Sequence, residues 1–354
     1  MKAAIYDPYL DTLGGGERYC LTVAECLLAK GWKIDLFWDE KPIIKKSMER
    51  FGLKLENVQI IGKKPIQLSF LERMAITRQY DLIFWLSDGS IPLLFGKKNF
   101  LHFQAPFVNI RSKNLISKIK LKFIDQIICN SEFTKSFIDQ NFKVKSIVLY
   151  PPVDVDKFIP RKKENIILAV GRFEQTMQVK RQDILIEAFK TMCDKGLRDW
   201  QLVLIGASLK KPEENQYLKS LKKKAYGYPI KFIANAPFNV LKAYYEKAKI
   251  FWHAAGYGID EEKEPEKVEH FGISPVEAMA AGCVPVVIAK GGQKEIVTEG
   301  VNGFCWLNKE ELILKTLKII KNQKLFKKVS LESIKKSKDF SKKKFCERIY
   351  SLTS

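Results

Sequence analysis

Short apolar runs alternate with stretches of helical periodicity from one end of the chain to the other. In the first half, residues 3–6, 33–38, 58–61, 81–86, 99–103, 126–130 and 146–150 are rich in Ile, Val, Leu and Phe and predict strands. Residues 16–30 and 132–142 between them carry the helical period. The second half repeats the scheme, with strands predicted at 165–170, 200–205, 230–234, 250–255 and 284–288. Its predicted helices fall at 181–195, 240–248, 274–281 and 310–321, and the Lys-rich tail beyond is helical too. Strands that are apolar throughout, separated by amphipathic helices, imply parallel sheets covered on both faces. Two such halves predict an α/β chain of two doubly wound, Rossmann-like domains.

The Pro-rich segment at 150–154 can be neither helix nor central strand. It places the linker at about 151–163, between a first domain at 1–155 and a second at 160–338. No short-period repeat and no low-complexity segment interrupts the pattern. Open α/β sheets bind ligands beyond the carboxyl ends of their strands, so functional residues are expected just after strands.

With 354 residues, 46% of them apolar, the chain is long enough for two cores, and bulk disorder is excluded. The longest apolar stretches, 83–95 and 273–289, each contain a carboxylate, Asp88 and Glu277, and neither reads as a membrane span. The N-terminal apolar stretch runs into Asp7 and Pro8 and is too short for a signal peptide, so the expectation is a soluble, cytoplasmic chain. The formal net charge is +21, with Lys outnumbering Arg by 51 to 10. Arg is the residue that reads phosphate and base edges in nucleic acid, and its scarcity argues against that partner. An anionic membrane surface suits scattered Lys better. The seven cysteines lack C-x-x-C spacing, which argues against a zinc site or a disulfide framework and fits a reducing compartment.

Three loops carry the candidate chemistry. Gly14-Gly15-Gly16-Glu17-Arg18 follows the first strand and opens a helix, where backbone can approach a ligand and a helix N-terminus favours an anion. It fits neither the dinucleotide fingerprint, since Tyr19 stands where a glycine is needed, nor a P-loop. Val170-Gly171-Arg172-Phe173 follows the first strand of the second domain, with Lys180 at the next helix start. Arg172 and Lys180 can converge on a diphosphate. Glu269 to Gly282 is the most specific segment: Gly272 and Pro275 turn the chain into an Ala-rich helix, with Glu269 in the loop and Glu277 inside the helix. A carboxylate within that apolar helix calls for a partner.

The spacing from Glu269 to Glu277 resembles the E-x7-E motif of retaining glycosyltransferases of the GT-B fold, in the family-four or group 1 glycosyl transferases. The resemblance covers nearly the whole chain. The GGGER loop resembles that family's N-terminal glycine motif. Gly171-Arg172 with Lys180 resembles its pyrophosphate-binding pair, although the spacing between the two cations is longer than the common pattern. The segments at 130–134 and 150–154 resemble its interdomain connections, and residues 340–354 resemble its last helix, which returns to the N-terminal domain. Trp252-His253-Ala254-Ala255-Gly256-Tyr257-Gly258, with the acidic insert before Glu269, is similar to a subgroup related to the mannosyltransferases of lipid-linked oligosaccharide assembly.

The resemblance implies two domains facing each other across a cleft that closes over a nucleotide-diphosphate sugar linked to GDP or UDP. It assigns Glu277 to the donor ribose, Arg172 and Lys180 to the diphosphate, and Glu269 to the donor sugar. Backbone groups at Phe271, Gly272 and Ile273 would face the donor, and Gly14 and Gly15 would admit it from the N-terminal side. His102, in Leu101-His102-Phe103-Gln104, would lie near the reacting carbon. His253 reads as a hydrogen-bonded structural residue, and His270 as either a donor contact or a cap. Transfer with retention, a hexose such as mannose, and a saccharide or lipid-linked acceptor in envelope or glycan assembly follow from the same resemblance.

No cofactor or metal is expected. Asp154-Val155-Asp156 matches a metal-binding D-x-D pattern but sits in the Pro-rich linker rather than after a nucleotide-binding strand. Arg111, Lys113, Lys118, Lys120 and Lys122 surround Leu115, Ile116, Ile119, Phe123 and Ile124, a basic amphipathic stretch of the kind that lies on anionic membranes. A sugar phosphorylase or nucleotide-sugar epimerase on the same fold, and a non-catalytic binding protein, remain alternatives; a nicotinamide dehydrogenase lacks its fingerprint.

Overall fold

The computed structural model describes residues 1–62, 68–108, 115–175 and 178–354, so Arg111 and Lys113 lie outside the described residues. The chain divides into two compact units, one made of Met1–Pro152 with Lys343–Ser354 and the other of Val153–Lys342.

The first unit holds a seven-stranded parallel sheet. Its strands are β1 (Lys2–Tyr6), β2 (Lys33–Phe37), β3 (Val58–Ile61), β4 (Leu82–Leu86), β5 (Lys98–Phe103), β6 (Gln126–Cys129) and β7 (Ile147–Val148), in the order β3-β2-β1-β4-β5-β6-β7. Side chains alternate between two cores. Ala3, Ile5, Leu82 and Phe84 face one layer of helices, and Ala4, Tyr6, Ile83 and Trp85 face the other. Burial on both faces explains why these strands read as unbroken apolar runs. The C-terminal helix Lys342–Thr353 supplies Phe345 and Ile349 to the first of these cores.

That return explains one correction. Cys26, on the helix Gly15–Leu28, and Cys346 form a disulfide with their Cα atoms 5.4 Å apart. The two are 320 residues apart in sequence, so no local cysteine spacing could reveal the pair. The expectation of a chain without disulfides does not hold.

The second unit holds a six-stranded parallel sheet. Its strands are β8 (Glu164–Val170), β9 (Gln201–Gly206), β10 (Ile230–Ala234), β11 (Ala248–His253), β12 (Val284–Ile288) and β13 (Phe304–Trp306), in the order β10-β9-β8-β11-β12-β13. β13 has three residues and gives no readable periodicity, so sequence reasoning missed it. Trp252 is fully buried, and its indole N–H donates to Thr316 Oγ1 at 2.9 Å, which ties β11 to the helix Lys309–Lys321.

The expected linker at 151–163 is not a free connector. From Val153 onward it is knitted into the second unit. Val153 exchanges backbone hydrogen bonds with Phe340 and Lys342, and the backbone N–H of Ile159 donates to Glu246 Oε1 at 3.1 Å. The buried Glu246 carboxylate also pairs with Arg161 at 3.0 Å. In both sheets the order of winding reverses beside the first strand, between β1 and β4 and between β8 and β11, while all strands stay parallel. Those are the positions where open α/β sheets hold ligands.

Candidate functional site

In the second unit the loops after β8 and β11 converge at the switch point. Lys180 Nζ donates to Glu269 Oε2 at 2.6 Å, and His253 Nε2, at the end of β11, lies 3.2 Å from the same oxygen. The side chains of Lys180 and Glu269 keep 15% and 16% of their exposure, so the pair is shielded yet open at one edge. Burial alone would raise the Glu269 carboxyl, but Lys180 and then His253 outweigh it and hold it well below the usual carboxylate range. Burial lowers the His253 imidazole, and Glu269 only partly offsets this. The His253 ring is therefore neutral near pH 7. Facing an ionised carboxylate, it carries its proton on Nε2, which leaves Nδ1 as a buried acceptor without a partner. The sequence reading of His253 as hydrogen-bonded fits, but its partner is a candidate site carboxylate. His270 is also buried, with Gln178 Nε2 3.1 Å from its Nδ1.

Arg172 is exposed, while its carbonyl accepts a hydrogen bond from Gln182 Nε2 at 2.9 Å, which fixes the loop that presents it. Arg181 is committed elsewhere. Its guanidinium binds both oxygens of Asp183 at 3.0 Å and donates to the Tyr257 carbonyl at 2.7 Å. Of the two adjacent cations, Lys180 is the one that faces the site.

The Glu269 loop is built from behind by its own turn and by Gln293, Gly291, Gly292 and Glu261, which sequence reasoning did not single out. Gly272 adopts φ +115°, a conformation open to glycine, and starts the helix Ile273–Ala280. Phe271 is buried and its carbonyl accepts from Gln293 Nε2 at 2.8 Å, while Ile273 is half-buried. Gly292 N–H donates to the Glu269 carbonyl at 2.9 Å. At Gly291, φ is +56° and a Cβ would sit 2.2 Å from that carbonyl oxygen. The acidic insert then grips this glycine turn. Glu261 Oε2 accepts the Gly291 N–H at 2.6 Å, and Oε1 pairs with Lys294 at 2.8 Å. A Gly-Gly pair that follows strand β12 after two intervening residues is the signal that could have exposed this support. Glu277 is half-buried on its helix. Burial, and then the Glu277 carboxylate, push the Tyr245 hydroxyl well above its usual range, so Glu277 lies within electrostatic reach of Tyr245.

In the first unit, Gly14 and Gly15 are exposed at the start of the helix Gly15–Leu28. Gly14 is the N-cap, and its N–H donates to Glu17 Oε2 at 2.5 Å, so Glu17 serves as the reciprocal half of a capping box. Asp7, directly after β1, is fully buried. Burial, and then the Glu17 charge, push its carboxyl up to about 7. His102 departs from expectation. It has no exposed surface, stacks on Tyr19 with ring centroids 4.0 Å apart, and its Nδ1 lies 3.1 Å from the Ile128 carbonyl. Burial lowers its pKa to about 3. The strand-end position suggested a residue at a reacting carbon, but the pleat turns the ring into the core, and no face of it is open to a ligand here.

Among the described residues, no group of three or more His, Cys, Asp or Glu could hold a metal ion. Asp154 and Asp156 lie at the short 3-10 turn Val155–Lys157, where Asp154 pairs with Lys157 at 2.8 Å. No helix among the described residues is long and apolar enough to cross a membrane.

The family model described as glycosyl transferases group 1 matches residues 153–336, and the model for glycosyltransferase family 4 matches residues 13–157. This chain belongs to the family-four glycosyltransferases. Curated relatives of this glycosyltransferase include a GDP-Man:Man(3)GlcNAc(2)-PP-Dol alpha-1,2-mannosyltransferase of Xenopus laevis, 30% identical over 185 residues. That match covers 48% of this chain and 35% of the relative. An uncharacterized glycosyltransferase of Methanocaldococcus jannaschii is 30% identical over 229 residues, covering 62% of this chain and 55% of that one. The chain thus spans about a third to a half of the length of the curated relatives it matches. Among solved structures, a glycosyltransferase from Rickettsia africae aligns over 99% of this chain and 97% of its own, with TM-score 0.78 and 18% identity. Anabaena HepE, solved in complex with UDP, aligns over 99% of both chains with TM-score 0.73 and 18% identity. The GT-B fold expected from the sequence is the fold observed.

Proposed function

We propose that this glycosyltransferase moves a hexose, with mannose favoured, from a nucleotide-diphosphate donor to an acceptor hydroxyl, with retention of anomeric configuration and without a metal ion. The observation that carries the reading is the cluster at the end of β8 and β11. A shielded Lys180–Glu269 pair sits at the switch point of the second unit, on the loops that also present Arg172 and the Gly272 helix start. The mannosyltransferase names of relatives at about 30% identity favour mannose carried by GDP.

In this reading the leaving diphosphate gathers negative charge as the glycosidic bond stretches. Arg172, Lys180 and the N-terminus of the helix Ile273–Ala280 meet that charge. In the free protein Lys180 is engaged with Glu269. An incoming diphosphate shares that ammonium, and Glu269, held ionised by its surroundings, accepts hydrogen bonds from sugar hydroxyls. Glu277 takes the donor ribose. Gly14 and Gly15 leave an exposed backbone edge at a helix start in the first unit, suited to phosphate or sugar approach. The acceptor is a saccharide or a lipid-linked saccharide.

A donor screen tests the reading: nucleotide release from GDP-mannose, UDP-glucose and related donors, with and without a polyprenyl-linked acceptor. Acceptor-dependent release of GDP from GDP-mannose, undiminished in EDTA, is the expected result. Release that EDTA abolishes contradicts the metal-free mechanism. Absence of release with any donor contradicts the enzyme reading.

A further inference from the structure

We infer that His253 is a positioning residue for the transfer: its Nε2–H holds the Glu269 carboxylate in place once the donor diphosphate has drawn Lys180 away. The inference rests on the proposed placement of the diphosphate at Lys180 and of the donor sugar at Glu269. It adds what keeps the carboxylate fixed during that exchange.

Both side-chain donors that Glu269 meets among the described residues converge on one oxygen, Oε2: Lys180 Nζ at 2.6 Å and His253 Nε2 at 3.2 Å. They differ in how firmly they are held. Lys180 reaches the carboxylate on a flexible four-carbon stem. That stem crosses Gly171, where a Cβ would lie 2.6 Å from Lys180 Cγ, so it runs beside the loop that presents Arg172. An anion held by Arg172 on that loop would compete with Glu269 for the ammonium. His253 cannot follow. It is the last residue of β11, in register with Val287 of β12, and its side chain keeps 3% of its exposure.

The ring is also not an ordinary core side chain. With Nε2–H given to Glu269, Nδ1 is a buried acceptor with no partner among the described residues. A residue chosen for packing alone would avoid that penalty, because a buried polar atom left unpaired is costly. What offsets it is the charge-assisted bond that Nε2 makes. After the exchange, that bond is the one side-chain donor left to Glu269 among the described residues. Without it, a shielded and ionised carboxylate would lose its last partner and would turn away or take up a proton.

The test is calorimetric titration of the full chain with GDP and with GDP-mannose, and likewise with UDP and UDP-glucose. The ratio of sugar-nucleotide affinity to nucleotide affinity isolates the sugar site from the diphosphate site. His253→Leu, which keeps the bulk and removes the N–H, should lower that ratio about ten-fold or more while GDP alone binds within about three-fold of the parent. His253→Gln, whose amide N–H can stand in for Nε2–H, should bring the ratio back to within about three-fold of the parent. A merely structural role would move both affinities or neither. No nucleotide binding by the parent, or an unchanged ratio in Glu269→Gln, refutes the donor placement, and the role of His253 falls with it. A ratio that falls in Glu269→Gln but not in folded His253→Leu overturns the His253 inference alone. Where His253→Leu does not fold, the parent decides by 15N NMR: Nε2 of His253 should carry its proton both before and after saturation with GDP. Loss of that proton on GDP binding overturns the inference.

Discussion

The loops after β1 and after β8 occupy equivalent places in two sheets of the same winding, yet they treat charge in opposite ways. After β1, Asp7 and Glu17 are buried, and Glu17 is consumed in capping the helix that follows. After β8, Arg172 is exposed, and Lys180 shares a partly open edge with Glu269 and His253. A titratable group at a strand end thus becomes available to a ligand only where the fold leaves its charge exposed or half-shielded. Where the fold closes over it, the same residue type becomes part of the core.

The largest effect that separates the two loops is expected in turnover. Arg172→Ala and Lys180→Ala should each lower turnover by about 10²–10³. Arg172→Ala should leave the melting midpoint unchanged, because its side chain is exposed. Steady-state kinetics alongside thermal denaturation would check this, and near-parental turnover in both variants would break the contrast. In the first unit the expected effect is on stability. The Asp7 carboxyl titrates at about 7 in the fold against an ordinary value of 3.8. Its contribution to stability is full below pH 3.8 and is lost as pH rises through about 7. Asp7→Asn, which stays neutral, should therefore stabilise the protein at pH 8 by about 2–4 kcal/mol and have little effect at pH 3.5. Melting curves at the two pH values would decide, and destabilisation at pH 8 would mean that the fold needs the charge.

A smaller effect is expected behind the second loop. Glu261→Gln removes the ionic grip on Gly291 and Lys294. The Glu269 loop should then be less well seated, raising the donor KM about three- to ten-fold with kcat little changed. An unchanged KM would make the acidic insert irrelevant to the site. The smallest effect should come from His102→Gln, since glutamine can still hydrogen-bond the Ile128 carbonyl. Turnover of the folded protein should stay within about three-fold of the parent. A larger loss at unchanged stability would restore His102 to the reacting centre.

Most of the architecture was legible because the central strands, such as β1, β4, β11 and β12, are buried on both faces, which writes them into the sequence as apolar runs. The pair β8 and β11 and their loops could be read for the same reason, and with them Arg172, Lys180 and Glu269. What escaped has physical causes. β13 is too short to show a period. The Cys26–Cys346 bond depends on a helix returning across the whole chain. His102 and Glu17 sit where ligand contacts are expected, and only three-dimensional burial shows that the core has claimed them. The Gly291–Gly292 support acts through backbone contacts, which side-chain motifs do not announce. Val153–Ile159 read as part of a linker because Pro151 and Pro152 just before it forbid helix and central strand, but hydrogen bonds to Phe340, Lys342 and Glu246 place it in the second unit.

The central claim, that the exposed Arg172 and the half-shielded Lys180 of the second unit hold a nucleotide diphosphate, is tested most directly by calorimetric titration of the full chain with GDP. The account predicts saturable binding that weakens at least about ten-fold in Arg172→Ala, consistent with loss of one charge-assisted contact. Equal GDP affinity in the parent and in Arg172→Ala, or no binding of GDP, UDP or ADP by the parent, would contradict it.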